Sequence, residues 1–488
     1  MANIELSKSS AHLILIGFVV LLFHPVLQTY AYTDVYEFLY NSHNDNFINV
    51  FIQGGRPIYG LLNKFFFTKV SAVSQLFWLR LFGVFGILST ALLLFYILNQ
   101  LLLNRLQALL CSLFFLCSPS ASVIGIWAGT YQVGWALSSS LLGGYLLVIA
   151  LSQTPDKSKW GLVALSFILT IASLLAYQPA ATAFVVPGFI LLMKTMDLKR
   201  LSYFLATYFT SFVVYFGIHK LILVFTNLSA LSRTNLALNP IVRLEWFFTE
   251  PMADVLSDNF IFYSYGWRIV ARVVFLIFAL LSFYFLPKGM PLKKVIMFVG
   301  LVIVFFISAY MPNLISSDTW VSYRTLSTLF ILKWTLVLTA VNKWEQWWKP
   351  SVIIPYVVGL FLLANAVYNI NSGFVSIQSE EYQKVSAEVN RLIPSLRNEK
   401  KMIFVMPEID MLEKLGTVRR VVTDEFGSLS SSRDWVPIPM VKQILVEANE
   451  RQLADELEIK ILSQTGYNEA HLPNYLPVLN IEDFYIQK

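Results

Sequence analysis

Charge is scarce in this chain. Asp, Glu, Lys and Arg make up 14% of 488 residues, against 56% hydrophobic ones. A water-soluble domain carries nearer a quarter. With a mean hydropathy of +0.62, the shortfall excludes a soluble globular chain and implies a polytopic membrane protein. Acidic residues are almost missing from the apolar runs, which speaks against a proton-coupled pump or an ion channel. There are only two cysteines, Cys111 and Cys117, in one apolar run. Six residues apart on a helix they point to different faces, so no disulfide is expected. No Walker motif, GxSxG, HExxH or strand–helix GxGxxG is present, so nucleotide-driven work and common hydrolase chemistry have no visible machinery. There is no single basic patch either. The pI near 9.0 comes from cations in short loops, and nucleic acid is not an expected partner.

What the chain has in quantity is apolar runs. Those of about 17–25 residues qualify as spans, and about eleven are found, at roughly 11–30, 77–99, 106–126, 132–152, 160–177, 180–194, 201–225, 268–286, 293–311, 326–342 and 351–369. The first follows Lys8 and resembles a signal peptide, but bulky QTYAYTD follows it, so it is read as an uncleaved span. Alternate loops carry Lys8; Arg105; Lys157 and Lys159; Lys194, Lys199 and Arg200; Lys288, Lys293 and Lys294; and Lys343 and Lys349. That basic side is the cytoplasm. The other side collects the unusual segments: the loop after the first span, SPSASVIGIWAGTYQVGW at 118–135, Tyr177-Gln178-Pro179, a long loop over about 227–267 and NLISSDTWVSYR. A site assembled from several outer loops follows. After about residue 370 the composition turns polar, with helix-periodic stretches and a short strand, KMIFVM. The expected architecture is an all-α polytopic membrane domain over 1–370, with its site in the first outer loop at 31–76. A small C-terminal α/β extracytoplasmic domain follows over 371–488.

The densest chemistry lies between Thr33 and Leu62, TDVYEFLYNSHNDNFINVFIQGGRPIYGLL. Asp34 and Glu37, three apart, share a face if helical and suit a general base with a tuning partner; the plain alternative is a solvated helix end. In Gly54-Gly55-Arg56-Pro57 the glycines permit unusual backbone angles and the proline fixes the exit. A fixed Arg56 suits a phosphate headgroup. His43 and Asp45 do not have a recognised metal-ligand spacing. Tyr177 and Gln178 can hydrogen-bond a sugar, or form an interfacial turn. Arg324, after Asp318, Trp320 and Tyr323, can take a phosphate or snorkel to the interface. Arg268 and Arg272 are explained equally well as lipid anchors, and Arg233 and Arg243 have no spacing argument.

With these residues in place, the chain resembles the glucosyltransferase II type (GtrII-like) membrane enzymes that add sugar to bacterial O-antigens. That family has an acidic, often doubled Asp motif after the first span and a Gly-Arg-Pro some twenty-odd residues later. These correspond here to Thr33-Asp34 and Gly55-Arg56-Pro57-Ile58. Tyr177-Gln178 resembles a Tyr-Gln between its middle spans, and Arg324 a late Arg before a span. The chain departs at Thr33, in place of the first Asp, and at Glu37, where the family often has Arg. The resemblance covers residues 10–370 and implies a GT-C-like fold. It implies transfer of a sugar, with glucose expected, from a polyprenyl-phosphate donor to an extracytoplasmic polysaccharide or lipid-linked glycan. Asp34 would be the base and Glu37 its tuning partner. Arg56 and Arg324 would hold the phosphate, and Tyr177, Gln178, Trp127 and Tyr323 the sugar or acceptor. No cofactor is required, and no ligand cluster demands a divalent metal. The expected setting is a bacterial inner membrane, N-terminus cytoplasmic, site and C-terminal domain periplasmic, with a donor synthase and a flippase as working partners. The rival expectation is a lipid-linked saccharide translocase or polysaccharide exporter.

Overall fold

A computed structural model describes residues 7–152, 157–257, 269–277, 291–345, 353–408, 425–469 and 476–486. The protein is mostly helical. Among the described residues six helices are long and apolar enough to cross a membrane: Lys8–Leu27, Val73–Leu101, Ala128–Ser152, Lys159–Ala176, Leu198–Thr226 and Ile353–Glu399. The run at 106–126 is a helix pair, Arg105–Leu116 and Pro119–Ile126, bent by 60°. Ser118 causes the break. Its side chain caps the second helix by accepting from Ala121 N at 3.2 Å, and Pro119, lacking an N–H, fits only that helix's first turn.

The described spans are fewer than about eleven, for identifiable reasons. The run at 180–194 is not one helix: Pro179 sits in the first turn of the short helix Gln178–Ala181, which passes through a 3-10 turn at Thr182–Phe184 into the helix Val185–Thr195. Ser327–Asn342 is apolar but shorter than a full span, and Leu292–Ser308 is 17 residues long. The run at 268–286 lies largely outside the described residues, as do Arg268, Lys288 and Lys349.

Close helix packing uses small residues, as membrane helices do. The Val73–Leu101 and Ala128–Ser152 helices meet at Gly86 and Gly134. A Cβ on Gly134 would lie 2.7 Å from the Gly86 carbonyl carbon, and Thr90 Oγ1 donates to Gly134 O at 2.9 Å. Buried Arg80 then fixes where the first loop begins. Its guanidinium donates to the carbonyls of Val26 (2.8 Å), Tyr30 (2.7 Å) and Gln28 (2.6 Å) and lies over the Tyr30 ring. Those carbonyls close the first span, so the chain is pinned just before Thr33 and Asp34.

At the other end of the chain, helix Ile353–Ile370 does not stop where the composition changes. It runs through a π-turn, Asn371–Val375, into Ser376–Glu399. That rod leads to a three-stranded parallel sheet, order β2-β1-β3, made of β1 (Lys401–Met406), β2 (Glu458–Ser463) and β3 (Val478–Asn480). β1 is buried along its middle, as a central parallel strand must be. The domain docks on the first loop. Tyr40 OH donates to Asp455 at 2.6 Å, Gln443 Nε2 to Ser71 O at 2.9 Å, Val73 N to Glu447 at 3.0 Å and Ser379 Oγ to Thr29 O at 3.2 Å.

Candidate active site

Asp34 opens the helix Asp34–Asn41, whose N-terminal dipole favours a carboxylate. Thr33 before it has φ 42°, a left-handed angle rare for a β-branched residue. Such strain persists only where the surroundings impose it. Here Thr33 N donates to Ser430 Oγ at 3.1 Å, so the C-terminal domain supplies part of the restraint. The same domain reaches Asp34 itself, since Trp435 Nε1 donates to Asp34 Oδ1 at 3.1 Å. Glu37, three residues on, is exposed and accepts from Asn41 Nδ2 at 2.8 Å along its own helix.

Arg56 sits where the sequence placed it, at a fixed turn. Gly55 has φ 74°, and Arg56 N donates back to Phe51 O at 2.8 Å before Pro57 opens the helix Pro57–Phe67. The guanidinium lies 4.7 Å from the Tyr177 ring centroid, and its Nε donates to Gln178 Oε1 at 2.9 Å. Gln178 Nε2 in turn donates to Gly54 O (3.1 Å), Gly55 O (3.0 Å) and Tyr215 OH (2.6 Å). Tyr215 OH donates to Gly55 O at 3.0 Å, and His219 Nε2 to Ile52 O at 3.0 Å. Tyr177 and Gln178, expected against the sugar, are thus the mount that holds Arg56.

Arg324 is mounted the same way. It lies in the turn Tyr323–Thr325, with its guanidinium 4.5 Å from the Trp127 ring centroid. Among the described residues its guanidinium makes no hydrogen bond, and neither Arg56 nor Arg324 is in an ion pair. Each presents a fork of unspent N–H donors, preset by an aromatic ring. Glu425 of the C-terminal domain stands behind Arg324. This buried carboxylate accepts from the Ser322 hydroxyl and from Tyr323 N at 3.2 Å. Tyr323, expected to touch sugar, is buried with its ring against Phe426.

Electrostatics tie these groups into one neighbourhood. Burial works against the charge on Arg324, but Tyr177, Glu425, Asp34 and Tyr59 outweigh it and hold its pKa above the ordinary arginine value. At neutral pH the carboxylates do this, because the phenols are uncharged. Tyr59, whose hydroxyl donates to Gly129 O, is pushed up to about 12 chiefly by burial; Asp34 raises it further while Arg324 and Arg56 lower it. One phenol therefore feels the carboxylate and both guanidiniums, brought together from the first loop and the distant turn at Arg324.

Arg56 also faces a groove of about 700 Å³. Its polar lining includes Arg56, Gln178, His219, Lys220 and Asp318, so cations outnumber the carboxylate; its apolar lining includes Phe212 and Phe216, from the helix Leu198–Thr226. A groove with both cationic and apolar lining, at the end of a membrane helix, fits an amphipathic ligand with an anionic end.

No family model, curated protein or solved structure matches the chain.

Other expected residues fall elsewhere. Asp45 is exposed and pairs with Lys64 at 3.7 Å; His43 offers its carbonyl to the same lysine at 3.5 Å. Arg243 is buried and ties down the carbonyls of Asn313, Leu314 and Asp318, a structural clamp. Arg272 donates to Ala253 O at 3.2 Å. The sequence reading missed Glu425, Trp435, Tyr59, His219 and Lys220. His219-Lys220 interrupts an apolar run, which is a usable signal. Glu425 and Trp435 lie in a polar stretch where residue type says nothing about placement.

Proposed function

We propose that this chain is an integral-membrane glycosyltransferase. It moves a sugar, with glucose the expected one, from a polyprenyl-phosphate donor to an extracytoplasmic polysaccharide such as O-antigen. The observation that carries the reading is the convergence of two ring-mounted arginines, Arg56 and Arg324, on the neighbourhood of Asp34 and Tyr59, with Arg56 also lining a groove that has both polar and apolar walls.

The chemistry then follows from the residues. Asp34 takes the proton from an acceptor hydroxyl, whose oxygen attacks the anomeric carbon. The bond from that carbon to the phosphate oxygen breaks, its electron pair leaves with the polyprenyl phosphate, and the anomeric centre inverts. Charge grows on the phosphate as the bond breaks, where the forks of Arg56 and Arg324 receive it. The lipid tail lies along Phe212 and Phe216. Glu425, rather than Glu37, is the second carboxylate of the site: it counters Arg324 while fixing the turn that carries it. The reaction needs no nucleotide. In this reading the protein sits in a bacterial cytoplasmic membrane, with the site and the C-terminal domain outside the cytoplasm, downstream of a donor synthase and a flippase.

The rival is a lipid-linked saccharide translocase, and one observation favours it. Lys333 is buried within the helix Ser327–Glu345, with Nζ on Val255 O at 2.6 Å beside an apolar cavity of about 520 Å³. A charge at that depth is costly. Its carbonyl bond and its rings, Phe330 and Trp334, account for it structurally, so the transferase stands first.

The test is transfer of labelled sugar from synthetic polyprenyl-phosphate glucose by purified protein. Asp34→Asn should abolish transfer while the protein still inserts, a loss of about 10²–10⁴ in rate. No transfer from any polyprenyl-phosphate sugar by intact wild type, with acceptor present, would turn the assignment to the translocase.

A further inference from the structure

The bond from Trp435 to Asp34 uses only the edge of the indole and leaves its face open. The residue is 49% exposed, and its one polar atom is spent on Asp34. Yet it is not a loose surface residue. The segment before it is anchored by buried Glu381, which accepts from Ser430 N at 2.8 Å and Ser431 N at 2.9 Å, and by Ser430 Oγ donating to Gln378 Oε1 at 2.7 Å. Ser430 Oγ also receives Thr33 N. Just after it, Pro437 starts the helix Pro437–Glu447. A large aromatic face is therefore held in a fixed place, half in water, against the carboxylate that serves as base. Preorganisation of this kind is a feature of binding residues.

Resting on the transferase reading, we propose that Trp435 is the platform for the acceptor. It stacks against the pyranose ring whose hydroxyl is deprotonated, and it makes the C-terminal domain one half of the acceptor site. Its bond to Oδ1 leaves Oδ2 of Asp34 to the acceptor hydroxyl. That hydroxyl must come within about 3 Å of Oδ2 to lose its proton, so the ring bearing it is confined beside the indole. A pyranose offers flat C–H faces as well as hydroxyls, and an aromatic face with a polar edge matches both. The acceptor is accordingly a saccharide, and not water or a simple lipid alcohol.

The experiment uses the full chain in nanodiscs with polyprenyl-phosphate glucose and a panel of pyranose oligosaccharides of three to five rings as acceptors. Trp435→Ala should raise the acceptor KM about tenfold and leave the donor KM unchanged. Trp435→Phe keeps a ring and loses the N–H. It should stay within about threefold of wild type in acceptor KM while kcat falls, because Asp34 loses its anchor. An unchanged acceptor KM in Trp435→Ala, or an equal rise in both KM values, would overturn the proposal. Saturation-transfer NMR with the same oligosaccharides separates its fate from that of the transferase reading. Were wild type to transfer nothing, binding lost in Trp435→Ala would still sustain a saccharide site, and binding absent from wild type or equal in both would sink it.

Discussion

Gly55→Ala asks whether the mount of Arg56 matters. Gly55 has φ 74°, and a Cβ there would stand 2.9 Å from Gln178 Nε2 and closer still to Tyr215 OH. Two costs arise. Holding a side chain at a left-handed angle costs about 1–2 kcal/mol. Relieving the clash displaces Gln178 from Gly54 O, Gly55 O and Tyr215, and two lost hydrogen bonds cost about 0.5–1.5 kcal/mol each. Together these come to about 3 kcal/mol, which the loop avoids by moving. Any move that frees Gly55 also frees Arg56, because Gln178 holds both. If that energy is lost from the phosphate contact in the transition state, the rate falls on the order of 10². The assay is sugar transfer against donor concentration, with Gly217→Ala as control: Gly217 is on the same helix as Tyr215 with open space around it. Gly55→Ala with wild-type donor kinetics, and insertion intact, would refute the claim that this turn sets Arg56.

Two further outcomes are expected. Arg324→Lys keeps the charge but loses the planar fork and the stack on Trp127, so kcat/KM should fall on the order of 10²–10³; wild-type turnover with lysine would remove the fork from the mechanism. Asp455 is held below its usual pKa, first by the Tyr40 hydroxyl and then by Arg451 and Lys442, against some burial. A depressed carboxylate stabilises the fold above its unfolded pKa of about 3.9 and loses that contribution as pH falls through the lower folded value. Docking of the C-terminal domain should therefore loosen below about pH 4, modestly because the carboxylate is half in water. Thermal unfolding across pH reads this, and Asp455→Asn should flatten the acid limb.

The parts legible in the sequence were those set by local rules. Apolar runs gave helices, and Gly54-Gly55-Arg56-Pro57 gave a fixed turn, because backbone preference and hydrophobicity act over a few residues. Asp34 drew notice for a similar reason: a carboxylate just past a span needs an explanation. The exposure of Glu37 was not legible, because spacing on a helix says which residues share a face but not whether that face meets a partner. Tyr177, Gln178 and Trp127 were read as sugar-facing, and their contacts with Arg56 and Arg324 were not legible. They support the arginines, and only tertiary geometry tells a supporting side chain from one left facing open space. Glu425 and Trp435 were invisible because their contacts lie some hundred residues from Tyr323 and four hundred from Asp34.

Those last two contacts change what the domains are for. Were the C-terminal domain a cap, its contacts would be with helix ends and loops at large. Instead Glu425 grips the turn that carries Arg324, Ser430 restrains the strained Thr33, and Trp435 holds Asp34. On the transferase reading, the membrane domain alone would keep Asp34 and both arginines in sequence but lose the contacts that hold Asp34 and the Arg324 turn. The unbroken rod from Ile353 through the π-turn to Glu399 suits this division. It ties the domain to the bundle without a loop, and Gly427 N, donating to Gly373 O in that π-turn at 2.7 Å, latches the Glu425 segment to the rod.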